Sequence, residues 1–194
     1  MSVINAIRSK YKEDFYEKHG VKLGYMSFFT RSVSRALEMF PQVNSMIDGD
    51  DLVSFDYVDI SIAVSSPKGL VVPVLRNAQK MNFHQIEQEV QRLANKAREG
   101  SISIDDMIGG TFTITNGGVF GSMLSTPIIN PPQSAILAVA GTQEELKLVN
   151  GEVQSAKVCK MTITCDHRVI DGALAAEFMN ALKDYLETPA KLIV

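Results

Sequence analysis

The sequence predicts an α+β fold, a mixed β-sheet covered by helices, and three observations predict it. Apolar residues recur at helical spacing in four segments: at the start of the chain, before Pro41, after Asn82 and after Gly172. Between these lie short runs that alternate apolar and polar residues or are apolar throughout, as half-buried and fully buried strands do. Finally, 194 residues of 45% hydrophobic composition suit a single domain over 1–194, and no repeat, low-complexity tract or long linker divides it.

The first helix is expected over residues 2–19, with Val3, Ile4, Ile7, Tyr11 and Phe15 facing inward, Ser2 capping its start and Gly20 stopping it. His19 near its end reads as a favourable C-terminal charge. A second helix is expected over 27–40, burying Phe28, Val33, Ala36, Leu37 and Phe40 before Pro41 ends it. The run Asp48-Gly49-Asp50-Asp51 marks a turn. Residues 58–65 and 70–75 then read as antiparallel strands joined through Ser66-Pro67-Lys68-Gly69, with Pro73 marking a bulge or an edge.

Asn82 with Gln85 three residues on has the form of a capping box, opening a helix that buries Ile86, Val90, Leu93, Ala94 and Ala97 and ends at Gly100. His84, in its first turn, has a surface role. Ser103 with Asp106 suggests a brief helical turn. The run TFTIT over 111–115 is a strand with its threonines on one face, and Asn116-Gly117-Gly118 bends the chain directly after it. Those glycines lack the lysine and spacing of a P-loop, which argues against nucleoside triphosphates.

Pro127, Pro131 and Pro132 keep residues 127–132 extended. A strand over 133–140, a hairpin loop over 143–151 turning at Asn150-Gly151, and a strand from Val153 to Cys165 follow. The final helix starts at Gly172, buries Leu174, Phe178, Leu182 and Leu186, and stops at Pro189.

A net charge of -3 argues against an electrostatic nucleic-acid binder, and no apolar run approaches the length of a membrane span. Cys159 and Cys165 are too few and wrongly spaced for a metal or redox pair. They share parity with Met161 and Ile163, so buried free thiols in a reducing compartment are expected. The chemistry is placed at Asp166-His167-Arg168-Val169-Ile170-Asp171-Gly172, where a strand meets a helix. A histidine leaving a strand end can act as a general base near neutral pH. On spacing alone, a histidine between Asp166 and Arg168 is more often part of a surface ion-pair cluster.

The run DHRVIDG, together with GGTFTITNGGVFG (109–121) and TPIINPPQSAIL (126–137), resembles the catalytic domain of the dihydrolipoyl acyltransferases, the core subunits of 2-oxo acid dehydrogenase complexes. The glycine-rich and INPPQ runs look most like the succinyltransferase of the 2-oxoglutarate complex, whereas CDHRVIDGALAAEF looks more like the acetyltransferase of the pyruvate complex. The resemblance implies a two-layer sandwich like that of chloramphenicol acetyltransferase. It implies transfer of a succinyl group between dihydrolipoamide and coenzyme A, the lipoyl group coming from a separate domain, with no metal.

On this resemblance His167 matches the base, Thr115 the hydroxyl that stabilises the oxyanion, and Asp171 an acidic residue that holds the loop through an ion pair; the residues that contact coenzyme A are not assigned. It further implies a homotrimer in which His167 of one chain meets Thr115 of the next. Such trimers build a larger core through apolar C-terminal contacts, here Leu192, Ile193 and Val194, and bind lipoyl domains and the other subunits of the complex. The compartment implied is the bacterial cytoplasm, or the mitochondrial matrix in a eukaryote.

The family's domain begins further upstream, with a basic segment whose arginine pairs with the acid at Asp171, so an N-terminally shortened catalytic domain is expected, without lipoyl or peripheral-subunit-binding domains. The alternatives are an acetyltransferase core of the pyruvate complex, a catalytically impaired scaffold of the same fold, and an antibiotic acetyltransferase, which the INPPQ and GGVFG runs fit less well.

Overall fold

The computed structural model describes residues 1–149 and 151–192. Four helices, α1 (Ser2–His19), α2 (Met26–Met39), α3 (Phe83–Glu99) and α4 (Gly172–Glu187), accompany nine strands among these residues. The main sheet has five strands in the order β6 (Val74–Leu75), β3 (Ile60–Ile62), β7 (Phe112–Asn116), β8 (Ala135–Val149) and β9 (Glu152–Cys165). It is mixed: β3, β7 and β8 run parallel, and β6 and β9 run antiparallel to their neighbours.

Side chains alternate across a strand, and that alternation separates the two faces. Phe112 and Ile114, both fully buried, point to the helices, where the Phe112 and Phe178 rings lie 5.8 Å apart. Thr111, Thr113 and Thr115 therefore point the other way. Over that face stands the segment from Ser122 to Asn130. Helix α2 is the centre of the helical layer, buried on most sides, from Ser27 to Leu37. The capping box of α3 forms as the sequence predicts: Gln85 N donates to Asn82 at 3.1 Å and Asn82 N to the Gln85 side chain at 2.9 Å.

Helix α1 departs from expectation. Its cap is Met1, not Ser2, with no side-chain cap bond, and only Ile4 is buried while Val3 and Tyr11 are 48% and 44% exposed. It lies at the margin of the layer against α4 and β9, where Ile7 and Phe15 of the expected stripe pack half-buried against the core. At its end the His19 ring stacks on His84, centroids 4.3 Å apart, and desolvation together with His84 and Lys18 lowers its pKa.

The expected two-strand hairpin over 58–75 is broken into four pieces. Beside β3 and β6, β4 (Val64–Ser66) and β5 (Gly69–Val71) form a small hairpin of their own. Pro73 has no N–H to continue a ladder, and its carbonyl accepts from Ile62 N at 2.8 Å where the pieces part. A further hairpin, β1 (Ser45–Asp48) with β2 (Asp51–Ser54), turns where Asp48-Gly49-Asp50-Asp51 predicts.

Of the loop expected over 143–151, residues 143–149 are instead strand. Beyond a register shift between Val139 and Thr142, β8 and β9 continue paired to Val149 and Glu152, well past the end of β7. Leu146, Leu148 and Val153 on this ribbon are 67% exposed or more. The turn expected at Asn150-Gly151 includes a residue outside the described ones. So do Ile193 and Val194 of the tail, and Leu192, expected to make assembly contacts, is buried in its own chain at 3% exposure.

Candidate active site

Residues 166–170 form a tight turn between β9 and α4, closed by Val169 N and Ile170 N donating to the Asp166 carbonyl at 3.0 Å. Asp166 N is tied back to the Ser134 carbonyl at 2.7 Å, and Ile170 plugs into the core with no exposure. The Asp166 carboxylate accepts from Arg168 N and pairs with its guanidinium at 2.6 Å, which pulls the Asp166 pKa below the carboxylate range. The ion pair anticipated around the histidine is thus between its two neighbours, and it leaves His167 exposed at the apex of the turn.

Asp171 directly follows this turn as the N-cap of α4. Its carboxylate accepts from Leu174 N at 2.8 Å and caps α4. Among the described residues it makes no ion pair. Both cysteines are free and half-buried, and burial pushes their thiols up.

Thr115 lies at the other end of the sheet. It pairs with Ala138, which pairs with Thr162, while β9 runs on three residues to Cys165 beside Ala135, where β8 begins. Two strand spacings and three residues of rise place Cys165 on the order of 14 Å from Thr115, with His167 two residues further on. Within one chain the sheet therefore separates His167 from Thr115.

Thr115, half-buried, opens onto a cavity of about 510 Å³. Thr113, Thr115 and Ile136 form its floor, Pro127, Ile129 and Asn130 its wall. The glycine bend after Thr115 is a 3-10 turn, Gly117–Phe120, whose first N–H pairs are satisfied locally as Gly118 N donates to the Asn116 side chain at 3.0 Å. Gly118 must be glycine: a Cβ there would lie 2.6 Å from Gly141 N on β8. That backbone approach fixes the end of β7.

Sequence reading did not find Gln133. Its buried amide bonds three partners on two segments: Oε1 accepts from the Thr113 hydroxyl, and Nε2 donates to Ser61 Oγ at 3.1 Å and to the Gly110 carbonyl at 2.9 Å. The available signal was a polar residue at the mouth of an apolar strand.

The family model for the 2-oxoacid dehydrogenases acyltransferase (catalytic domain) matches residues 1–194. The chain is 50% identical over 194 residues to the dihydrolipoyllysine-residue succinyltransferase component of the 2-oxoglutarate dehydrogenase complex of Rickettsia bellii, covering all of this chain and 48% of that protein. It is 53% identical to the mitochondrial counterpart of Arabidopsis thaliana, covering 42% of it. The chain thus spans about half the length of the curated relatives it matches.

Among solved structures, a study of a serine, a histidine and an asparagine in the catalytic mechanism of Azotobacter vinelandii dihydrolipoamide acetyltransferase superposes with TM-score 0.93 at 34% identity, covering 98% of this chain and 79% of that one. The cubic core of the pyruvate dehydrogenase multienzyme complex gives the same figures. A chloramphenicol acetyltransferase, 17% identical with TM-score 0.58 over 90% of this chain and 82% of that one, shares the fold, as the sequence led one to expect.

Proposed function

Because this chain belongs to the 2-oxoacid dehydrogenase acyltransferase (catalytic domain) family, we propose that it transfers a succinyl group between the thiol of dihydrolipoamide and that of coenzyme A at sites shared by neighbouring chains. The observation that carries the reading is the separation just described. A base and an oxyanion donor at opposite ends of one sheet work together only when two copies bring them face to face, His167 from one and Thr115 from the next.

The chemistry follows from the two groups. A thiol with a pKa near ~8.5 is mostly protonated at neutral pH, so a base that removes its proton creates the stronger nucleophile. His167 takes that proton; the thiolate attacks the thioester carbonyl, and the Thr115 hydroxyl donates to the tetrahedral oxyanion. Collapse breaks the original C–S bond and expels the second thiolate, which recovers the proton from the imidazolium.

The Azotobacter enzyme supports these roles: its serine-to-histidine and histidine-to-asparagine intervals equal those from Thr115 to His167 and from His167 to Asp171. The succinyl preference rests on the relatives near half identity, and the same relatives support a core that works with lipoyl domains and other subunits of a 2-oxoglutarate complex. A single catalytic domain, working in a bacterial cytoplasm or mitochondrial matrix on a lipoyl group brought by another domain, completes the proposal.

Complementation tests it. His167→Ala alone should cost about 10³-fold in turnover of succinyl-CoA with dihydrolipoamide, and Thr115→Ala alone about 10²-fold. Oligomers reassembled from both variants together should turn over well above either parent variant, because a minority of interfaces then carry both native groups. Mixtures as inactive as their parents would end the shared-site reading, and faster turnover of acetyl-CoA than of succinyl-CoA would favour the acetyltransferase assignment.

A further inference from the structure

We propose that Gln133 is a positioning residue that sets the gap between the strand carrying Thr115 and the wall above it, so that the length of the acyl chain is read against that gap. The inference rests on acyl transfer at Thr115 as proposed above. Gln133 is 6% exposed, and its amide bonds three partners on two segments: Ser61 on β3, and Gly110 and Thr113 at the entry to and on β7. The fit is close. A Cβ at Gly110 would come 1.9 Å from Ser61 Oγ and 3.0 Å from Gln133 Nε2.

Thr113 shares its face with Thr115, one side-chain repeat or roughly 7 Å along the strand. Gln133 N meanwhile donates to the Asn130 carbonyl at 3.1 Å, closing the wall on the same residue that grips the floor. At its far end the wall is held by Thr162 Oγ1 on β9, which donates to the Ser125 carbonyl. Residues 125–133 are therefore an arch with one foot on β9 and the other on β3 and β7. Pro127, Ile129 and Asn130 face the cavity, and Ile128 beside them is 89% exposed.

An apolar side chain would fill the site of Gln133 without the desolvation that a buried amide requires. What it would not do is hold floor and wall at one spacing through directed bonds. The distinction is measurable.

Gln133→Leu and, as a milder change that keeps the fold, Thr113→Val would be made in the full chain. Steady-state constants with acetyl-, succinyl- and glutaryl-CoA would be measured alongside hydrogen exchange of the arch. The expected result is a preference for succinyl over glutaryl that shrinks by about tenfold, through KM more than kcat, because small displacements of bound groups have effects of this order or larger. The pH profile of kcat should stay in place, and exchange in 125–133 should quicken while α2 and α3 remain protected. Gln133→Glu should fall between the two, since it keeps an acceptor for Thr113 and for the Ser61 hydroxyl but loses the bond to Gly110.

Selectivity within twofold of the parent in both variants would overturn the proposal, as would equal losses on all three donors with exchange quickened throughout the chain. A parent chain that transfers no acyl group would instead sink the role of Thr115 and the selectivity that depends on it. Unchanged exchange in the arch of Gln133→Leu would sink the clamp itself.

Discussion

Asp171 shows how much a single position can conceal. As a letter it is the acid four places after a histidine, and an ion pair is the natural assignment; in the fold it is a helix cap whose carboxylate accepts from Leu174 N. An amide accepts that bond equally well. Asp171→Asn should therefore leave thermal stability and turnover within about twofold of the parent, whereas Asp171→Ala should cost about 1 kcal/mol in chemical unfolding and release the turn that presents His167. Equal behaviour of the two variants would show that capping is not what the residue does. The turn that carries His167 was legible because it is sequence-local, and the contacts of Gln133 were not, because its partners come from positions 61, 110 and 113.

Among the elements, α3 was legible nearly to the residue, since its cap, stripe and stop are all local signals. The anchor of its last turn was not. Asp106, in the loop after the helix, pairs with Lys96 and accepts from Ser103 N and Oγ, and these contacts hold its pKa far below the carboxylate range. A depressed pKa stabilises the fold above the unfolded value near 3.8, and the contribution is lost as pH falls through the folded value. Asp106→Asn should lower stability at pH 7 by about 0.5–1 kcal/mol, given the partial exposure of Lys96, and urea unfolding near pH 2 should find the gap narrowed. A gap of the same size at both pH values would refute the assignment. Residues 143–149 of β8 did not show themselves for the opposite reason: the run is largely polar, as a loop is, and only pairing with β9 makes it a strand.

For the whole molecule, the features that await a partner lie on the open side of the sheet and around its glycine turn. Val119, Phe120, Met123, Leu124 and Ile128 are between 56% and 89% exposed, an apolar surface of the kind that marks an interface. Phe120→Glu with Ile128→Glu should convert an assembly into a folded monomer in light scattering, with turnover reduced at least about 10²-fold because Thr115 then meets no partner histidine. A fully active monomer would contradict the shared site.

The chain by itself determined its fold class and the bounds of its four helices closely, and it singled out Thr115 and His167 as candidates, because helix periodicity, caps and short motifs are written in neighbouring letters. It did not determine how those residues stand to one another. Strand order and register place the hydroxyl and the imidazole at opposite ends of one sheet and gather Ser61, Gly110 and Thr113 around Gln133. Those are relations between distant segments, set by which side chains pack together in three dimensions.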